Sequence, residues 1–263
     1  MEGYPGVMSV KKVIGIYFSP TGSTKSVVRH MLKEFEVKRE EIDLTPYETR
    51  DNSYSFAEND LAIIGMPVFG GRVPLASDDR YRLLKGNNTP AVLVANYGNI
   101  HYSNALYELQ QIVAQNGFKT IAAAVVISQH SVVSEIASGR PDPQDLAAIT
   151  SFIRQVQAKL AQSDCHELAV SKHAIPEAIR GKQPIKPHGN KKCTDCGTCG
   201  RLCPVRAIDN PRKTAGQTCI RCMRCVRHCP KQARVYRCPV KLIGRPFLTL
   251  ASRGVEKQPE FFL

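Results

Sequence analysis

Eight cysteines in the last third of the chain constrain its fold more than any other feature. Cys193, Cys196, Cys199 and Cys203 are followed by Pro204, and Cys219, Cys222, Cys225 and Cys229 by Pro230, so C-x2-C-x2-C-x3-C-P occurs twice. Three thiolates at x2 spacing wrap three corners of a cubane, and the fourth corner must come from elsewhere. In this architecture the last cysteine of each run serves the other cluster. The expectation is therefore two [4Fe–4S] clusters, the first held by Cys193, Cys196, Cys199 and Cys229 and the second by Cys219, Cys222, Cys225 and Cys203. Zinc ribbons use two C-x2-C pairs separated by a longer gap, and need neither a third cysteine at x2 spacing nor the C-P ending. Disulfides belong to small secreted domains rather than to short regular repeats. Cys165 and Cys238 lie outside the pattern and are expected to be buried, inert thiols.

A stretch as short as 191–238 with eight spaced cysteines is organised by its metal rather than by an apolar core. Charge changes at the same place. Residues 1–160 hold 16 basic and 16 acidic side chains, whereas residues 161–263 hold 20 and 7, so the whole +13 excess lies in the cysteine-bearing part. This break predicts a first domain over 1–164, a linker and covering segment over 165–190 (with Pro176, Gly181, Pro184, Pro187 and Gly189), a two-cluster domain over 191–238 and a tail over 239–263. Phe247, Phe261, Phe262 and Leu263 are candidates to anchor a tail that folds back. Apolar runs such as Ile121 to Ile127 are too short to span a bilayer, and Met1 to Val10 has no apolar segment followed by a cleavage site, so a cytoplasmic location is expected.

The first 160 residues alternate between strand-like and helix-like stretches. Val13–Phe18, Glu41–Leu44, Leu61–Met66, Ala91–Ala95 and Thr120–Ile127 read as strands. Thr24–Phe35 has helical periodicity, with Val27, Val28, Met31, Leu32 and Phe35 on one face, and Leu75–Leu84, Ser103–Asn116 and Pro143–Gln162 read as further helices. Such alternation implies a parallel sheet covered on both faces, an α/β doubly wound fold.

Three loops at the carboxyl ends of these strands carry candidate ligand residues. Ser19-Pro20-Thr21-Gly22-Ser23-Thr24-Lys25 joins the first strand to a helix N-terminus, where outward N–H groups and the helix dipole favour an anion. A P-loop would need Lys directly after Gly22, where Ser23 stands, and the GxGxxG fingerprint is absent. A cradle of hydroxyls with no compensating lysine suits a phosphomonoester; an ordinary capped turn is the alternative. Pro67-Val68-Phe69-Gly70-Gly71-Arg72-Val73-Pro74 and Asn96-Tyr97-Gly98-Asn99 each set an aromatic ring beside glycine, so a flat ring could stack there while backbone amides approach it.

On these motifs the first 160 residues resemble flavodoxin, and the whole chain is similar to the flavodoxin–ferredoxin fusion proteins found mainly in anaerobic bacteria. SPTGSTK, PVFGGRVP, YGN, His130-Ser131 with Gly139-Arg140-Pro141-Asp142, and both cysteine runs carry the resemblance. The family usually has a charged pair after YGN, where this chain has Ile100-His101. The resemblance implies a flavodoxin-like five-stranded parallel sheet of order 2-1-3-4-5 followed by a small ferredoxin-like domain. It implies FMN as cofactor, with phosphate at Ser19, Thr21, Ser23 and Thr24, near Gly22 and Lys25, and with the ring between the loops of Phe69 and Tyr97. It also marks His130 and Ser131 as near the site. Arg72 is a candidate to stabilise reduced, anionic flavin, or else a solvated surface arginine.

A chain holding FMN and two clusters would convert paired electrons to single ones, or relay single electrons between partners, with no side chain needed as general acid or base. A flavin-dependent reductase of a small oxidant, such as a quinone or nitro compound fed through the clusters, is the alternative. The basic half also raises a nucleic-acid-binding regulator, but no helix-turn-helix signal or RNA-binding aromatic motif accompanies it. The partner expected instead is an acidic redox protein of ferredoxin or flavodoxin type, drawn by the basic patch that includes Arg221, Arg224, Arg227, His228, Lys231, Arg234 and Arg237.

Overall fold

The computed structural model describes residues 10–162, 166–172, 186–236 and 257–263. Cys165, Cys238, Arg237 and Phe247, and most of the expected linker and tail, lie outside them. Strands β1 (Lys12–Tyr17), β2 (Lys38–Asp43), β3 (Tyr54–Ser55), β4 (Asp60–Pro67), β5 (Leu84–Lys85), β6 (Thr89–Tyr97) and β7 (Phe118–Ile127) alternate with helices α1 (Ser23–Lys33), α2 (Leu75–Tyr81), α3 (Ala105–Ala114) and α4 (Pro143–Leu160). The main sheet has the order β10-β7-β6-β4-β1-β2, where β10 is Glu260–Phe262 near the C-terminus. Its five long strands pair in parallel, and β10 pairs antiparallel to β7. The sheet thus has one strand more than the five expected. Phe261 of that strand stacks on Phe152 of α4, with ring centroids 4.8 Å apart.

Period-two alternation divides the core between the two faces of the sheet. Ile14, Ile16, Ile64 and Leu93 point to the side of α2 and α3, with Tyr81, Leu106 and Leu109. Val13, Tyr17, Ile63 and Val92 point to the side of α1 and α4, with Val28, Met31, Phe152 and Val156. The fully buried β4 and β6 need no polar face, which is why they read as continuous apolar runs. α4 starts on a capping box: Asp142 accepts from the Asp145 N–H at 2.9 Å, and Asp145 accepts from the Asp142 N–H at 2.9 Å.

The cysteine-rich segment has little regular structure: β8 (Pro187–Gly189) paired antiparallel with β9 (Arg234–Tyr236), and the one-turn helices α5 (Thr198–Arg201) and α6 (Arg224–Arg227). Pro187, expected in the linker, belongs to this pair. Among the described residues no helix is long and apolar enough to cross a membrane.

Candidate functional site

The two cysteine runs are repeats of one backbone. Every cysteine of the first run has its counterpart 26 residues later, from Cys193 and Cys219 to Cys203 and Cys229. Left-handed φ recurs at the same offset: Asp195 (54°) with Arg221 (58°), Gly197 (72°) with Met223 (59°), and Arg206 (47°) with Gln232 (48°). For a residue other than glycine that conformation costs about 1–2 kcal/mol, and it persists only where the surroundings over-determine it. The Ala207 N–H points to Cys203 Sγ at 3.3 Å and the Ala233 N–H to Cys229 Sγ at 3.2 Å, a donor to each run's last sulfur.

The sulfurs gather across the repeat rather than within it. Cys193, Cys196, Cys199 and Cys229 line one cavity, and Cys203, Cys219, Cys222 and Cys225 line another. Burial pushes the Cys222 thiol up to about 12 and the Cys225 thiol up to about 11. A cationic centre would have to offset that cost to hold them as thiolates. Among the described residues no three His, Cys, Asp or Glu side chains form a single-ion site. Between the two sets lies Arg234, 2% exposed, whose guanidinium donates to the carbonyls of Pro211 (2.8 Å), Lys213 (2.8 Å) and Pro187 (2.9 Å). Its positive charge acts on both Cys199 and Cys225, one from each set.

On the first domain, the loop before α1 has Gly22 at the N-cap with φ 93°, and Gly22 itself supplies no side-chain cap. Ser19 is buried; its Oγ accepts from the Lys25 N–H at 2.9 Å, and its N–H donates to Thr45 Oγ1 at 2.7 Å. Thr24 is also buried. Its N–H donates to the Asn96 side-chain oxygen at 3.2 Å, with the Asn96 amide oriented so that its nitrogen donates to Ser128 Oγ at 2.7 Å. Thr21 and Ser23 remain half-buried with hydroxyls 3.5 Å apart. Ser19, Thr24 and Asn96 therefore brace the cradle, while Thr21, Gly22 and Ser23 form its accessible edge. The Lys25 ammonium pairs with Asp43 at 3.5 Å, and its backbone N–H is the one given to Ser19 Oγ.

Phe69 and Arg72 close a two-residue hairpin, Phe69 N–H to Arg72 O at 3.1 Å and Arg72 N–H to Phe69 O at 3.3 Å. Gly70 and Gly71 take φ 59° and 76°, and a Cβ on Gly71 would lie 2.6 Å from Ser103 Oγ. Arg72 is not a solvated surface arginine: it is ion-paired with Glu108, whose other oxygen accepts from the Val73 N–H at 3.0 Å. Pro67 is buried at the end of β4, and the Val68 N–H donates to Asn96 O at 2.9 Å. Tyr97, expected to stack on a ligand ring, is only 4% exposed and packs edge-on against Tyr102 at 5.7 Å. Burial pushes its hydroxyl up to about 12. It ends a strand whose every residue is buried, which turns it into the core.

Phe69 and Gly70 instead face His130 across a cleft of about 330 Å³. A Cβ on Gly98 would lie 2.5 Å from His130 Cδ2, so the YGN loop acts by letting that imidazole approach. Asn99 is at φ 59° with its Oδ1 buried and unpartnered. His130 Nδ1 accepts from the N–H groups of Val132 (3.2 Å) and Val133 (3.0 Å), and burial depresses its pKa. The ring is therefore neutral and protonated at Nε2.

The third wall of this cleft comes from the cysteine-rich segment: Gln217, Thr218, Cys219, Ile220 and Arg221. Sequence reasoning gave no signal for this, because nothing in either motif specifies how the two units dock. Arg80 of α2, 3% exposed, donates to Thr45 O at 3.0 Å, to Leu44 O, and across the junction to Pro204 O at 2.7 Å. Arg224 donates to Pro20 O, in the loop before α1, at 3.0 Å. Ile220 packs against the core on the α2 and α3 side. The set of Cys203, Cys219, Cys222 and Cys225 thus abuts two of the three strand-end loops, through Arg224 on Pro20 and through the cleft that Cys219 shares with Phe69, while Cys196 of the other set is exposed.

No family model matches the chain, and no curated protein matches it in sequence. Its fold is similar to solved structures that align with about 56% of its length. A flavodoxin of Streptococcus pneumonia TIGR4 has 14% identity and TM-score 0.40, with 56% of this chain and 99% of that one covered. A flavodoxin from the domain Archaea has 13% identity and TM-score 0.39 (57% and 98% covered), and a WrbA-like flavodoxin of Agrobacterium tumefaciens has 15% identity and TM-score 0.36 (57% and 97% covered).

Proposed function

We propose that this chain is an electron-transfer protein that binds FMN on the parallel sheet and two [4Fe–4S] clusters in the cysteine-rich unit. The observation that carries the reading is the shared cleft, in which Phe69, Gly70 and His130 face Cys219 of the second cysteine set. When bound, the flavin supplies exchange of one or two electrons and each cluster exchange of one. The residues present fit these groups. Thr21, Gly22 and Ser23 offer hydroxyls and a helix N-terminus to a phosphate, and two glycines hold the Phe69 hairpin open to a flat ring. Each cavity carries four thiols and a backbone N–H on a sulfur. On this reading the set of Cys203, Cys219, Cys222 and Cys225 is proximal to the flavin, and that of Cys193, Cys196, Cys199 and Cys229 is distal.

The proposed division is a first domain over 1–164, to which Leu168 and Val170 add by packing and β10 by pairing with β7, and a cluster unit over 191–238 extended by β8. An acidic redox protein is the proposed partner. Cys196 and Cys193 are rimmed by exposed Lys191, Lys192, Arg201 and Lys231. The wall formed by Gln217 to Arg221 gives the flavin face to the second unit, which favours a carrier over a reductase of small oxidants. Anaerobic purification with iron, sulfide and flavin analysis tests the reading. About eight irons, eight sulfides and one FMN per chain are expected; uptake of FAD, or of no flavin, overturns it.

A further inference from the structure

We propose that the cysteine-rich unit completes the flavin site, and that Arg221 is the residue it contributes, a cation that favours the reduced, anionic flavin. The inference rests on the FMN reading above and adds a residue and a charge to it. Arg221 lines the same cleft as Phe69 and His130, and also lines the cavity of the second cysteine set. Its Nε is buried and has no hydrogen-bond partner, and the same holds for Nε of Arg224, whose Nη1 is committed to Pro20 O in the phosphate loop. Buried guanidinium donors without acceptors are costly, and an anionic, acceptor-rich ligand would satisfy them.

The other cationic groups lining the cleft are already compensated. Arg72 is paired with Glu108, and His130 accepts two backbone N–H groups as a neutral ring. Arg221 is what remains to set the potential there. Its backbone, at φ 58°, would suit glycine better, so the side chain is kept at a conformational cost. The matched residue of the first run is Asp195, which carries the opposite charge and pairs with Arg212 at 2.6 Å. The repeat thus places a cation only on the copy that faces the flavin loops.

The test uses full-length protein with both clusters and FMN, in R221G and R221K. Glycine removes the charge and relieves the left-handed backbone, so it does not endanger the fold; lysine keeps the charge. Spectroelectrochemical titration reads the flavin potential, and fluorescence quenching reads the affinity for oxidised FMN. In R221G, affinity for reduced flavin should fall about tenfold more than affinity for the oxidised form, a downward shift of about 30 mV for the two-electron couple. R221K should restore most of it. An unchanged flavin potential in cluster-replete R221G, or a shift confined to a cluster, overturns the inference. A wild-type chain that takes up no FMN would instead sink the flavin reading itself, so the two failures are distinguishable.

Discussion

Arg80 joins the two units through a buried hydrogen bond to Pro204 O at 2.7 Å, and Arg80→Met tests that junction. The guanidinium is buried over the Phe18 ring (5.3 Å to its centroid) and serves three carbonyls, those of Leu44 and Thr45 in the first domain and that of Pro204 in the second. Methionine keeps much of the apolar stem but leaves all three acceptors buried. Each unsatisfied carbonyl costs about 1–3 kcal/mol. Removing the cation recovers part of its own desolvation, which burial exacts by depressing its pKa. The net loss should be about 3 kcal/mol, of which about one third sits on the bond to Pro204. Because two units with cofactors need not unfold in one step, urea titration should be followed with two probes, far-ultraviolet dichroism for the sheet and cluster absorbance for the cysteine unit. Both midpoints should fall in Arg80→Met. Arg82→Met, which removes an exposed ion pair to Asp78 at 3.0 Å, should cost under about 0.5 kcal/mol. An Arg80→Met loss below about 1 kcal/mol, or an unchanged cluster midpoint, would refute the claim that this residue couples the units.

Cys203→Ser should damage the cluster shared with Cys219, Cys222 and Cys225 and spare the one nearest in sequence, as read by electron paramagnetic resonance of the reduced protein; the opposite loss would reverse the pairing. His130 is held neutral by burial, so its folded pKa lies below its unfolded value near 6.5, and its contribution is present above that value and lost as pH falls through the window below it. Folding stability should therefore decline as pH falls below about 6.5, and His130→Asn should flatten that part of the profile in urea titrations; an equally steep profile in the variant would assign the titration elsewhere. Electron transfer to an acidic ferredoxin, followed by stopped flow, should slow steeply with added salt, because the Debye length shrinks from about 10 Å at 0.1 M to about 3 Å at 1 M. A rate that is flat or rises would leave Lys191, Lys192 and Lys231 without a steering role.

The cysteine spacing made both sulfur sets legible, because ligand geometry is written in short local intervals, and the buried strands were legible because two apolar faces leave a continuous apolar run. β2 was expected to begin at Glu41 but begins at Lys38: it is an edge strand, and Lys38, Arg39 and Glu40 tolerate water, so they give no apolar signal. β10 is three residues long and depends on pairing with β7, a contact across more than 130 residues that local pattern does not carry. At the site, the aromatic ring beside two glycines was readable from Phe69-Gly70-Gly71, but the hairpin they form, the inward turn of Tyr97 and the pairings of Lys25 with Asp43 and Arg72 with Glu108 follow from tertiary neighbours. The largest gap is the wall from Gln217 to Arg221, since docking of one unit on another leaves no periodicity in either.

Internal electron transfer is the most direct measurement of the proposal that the flavin and the second cysteine set share one cleft. Full-length protein carrying FMN and both clusters should be reduced at the flavin by a light pulse under anaerobic conditions, with bleaching of the cluster absorbance followed in time. Transfer across a shared cleft predicts first-order bleaching at a rate independent of protein concentration, slowed in Cys203→Ser. A rate proportional to protein concentration, or a reduced flavin that leaves the clusters oxidised, would contradict it.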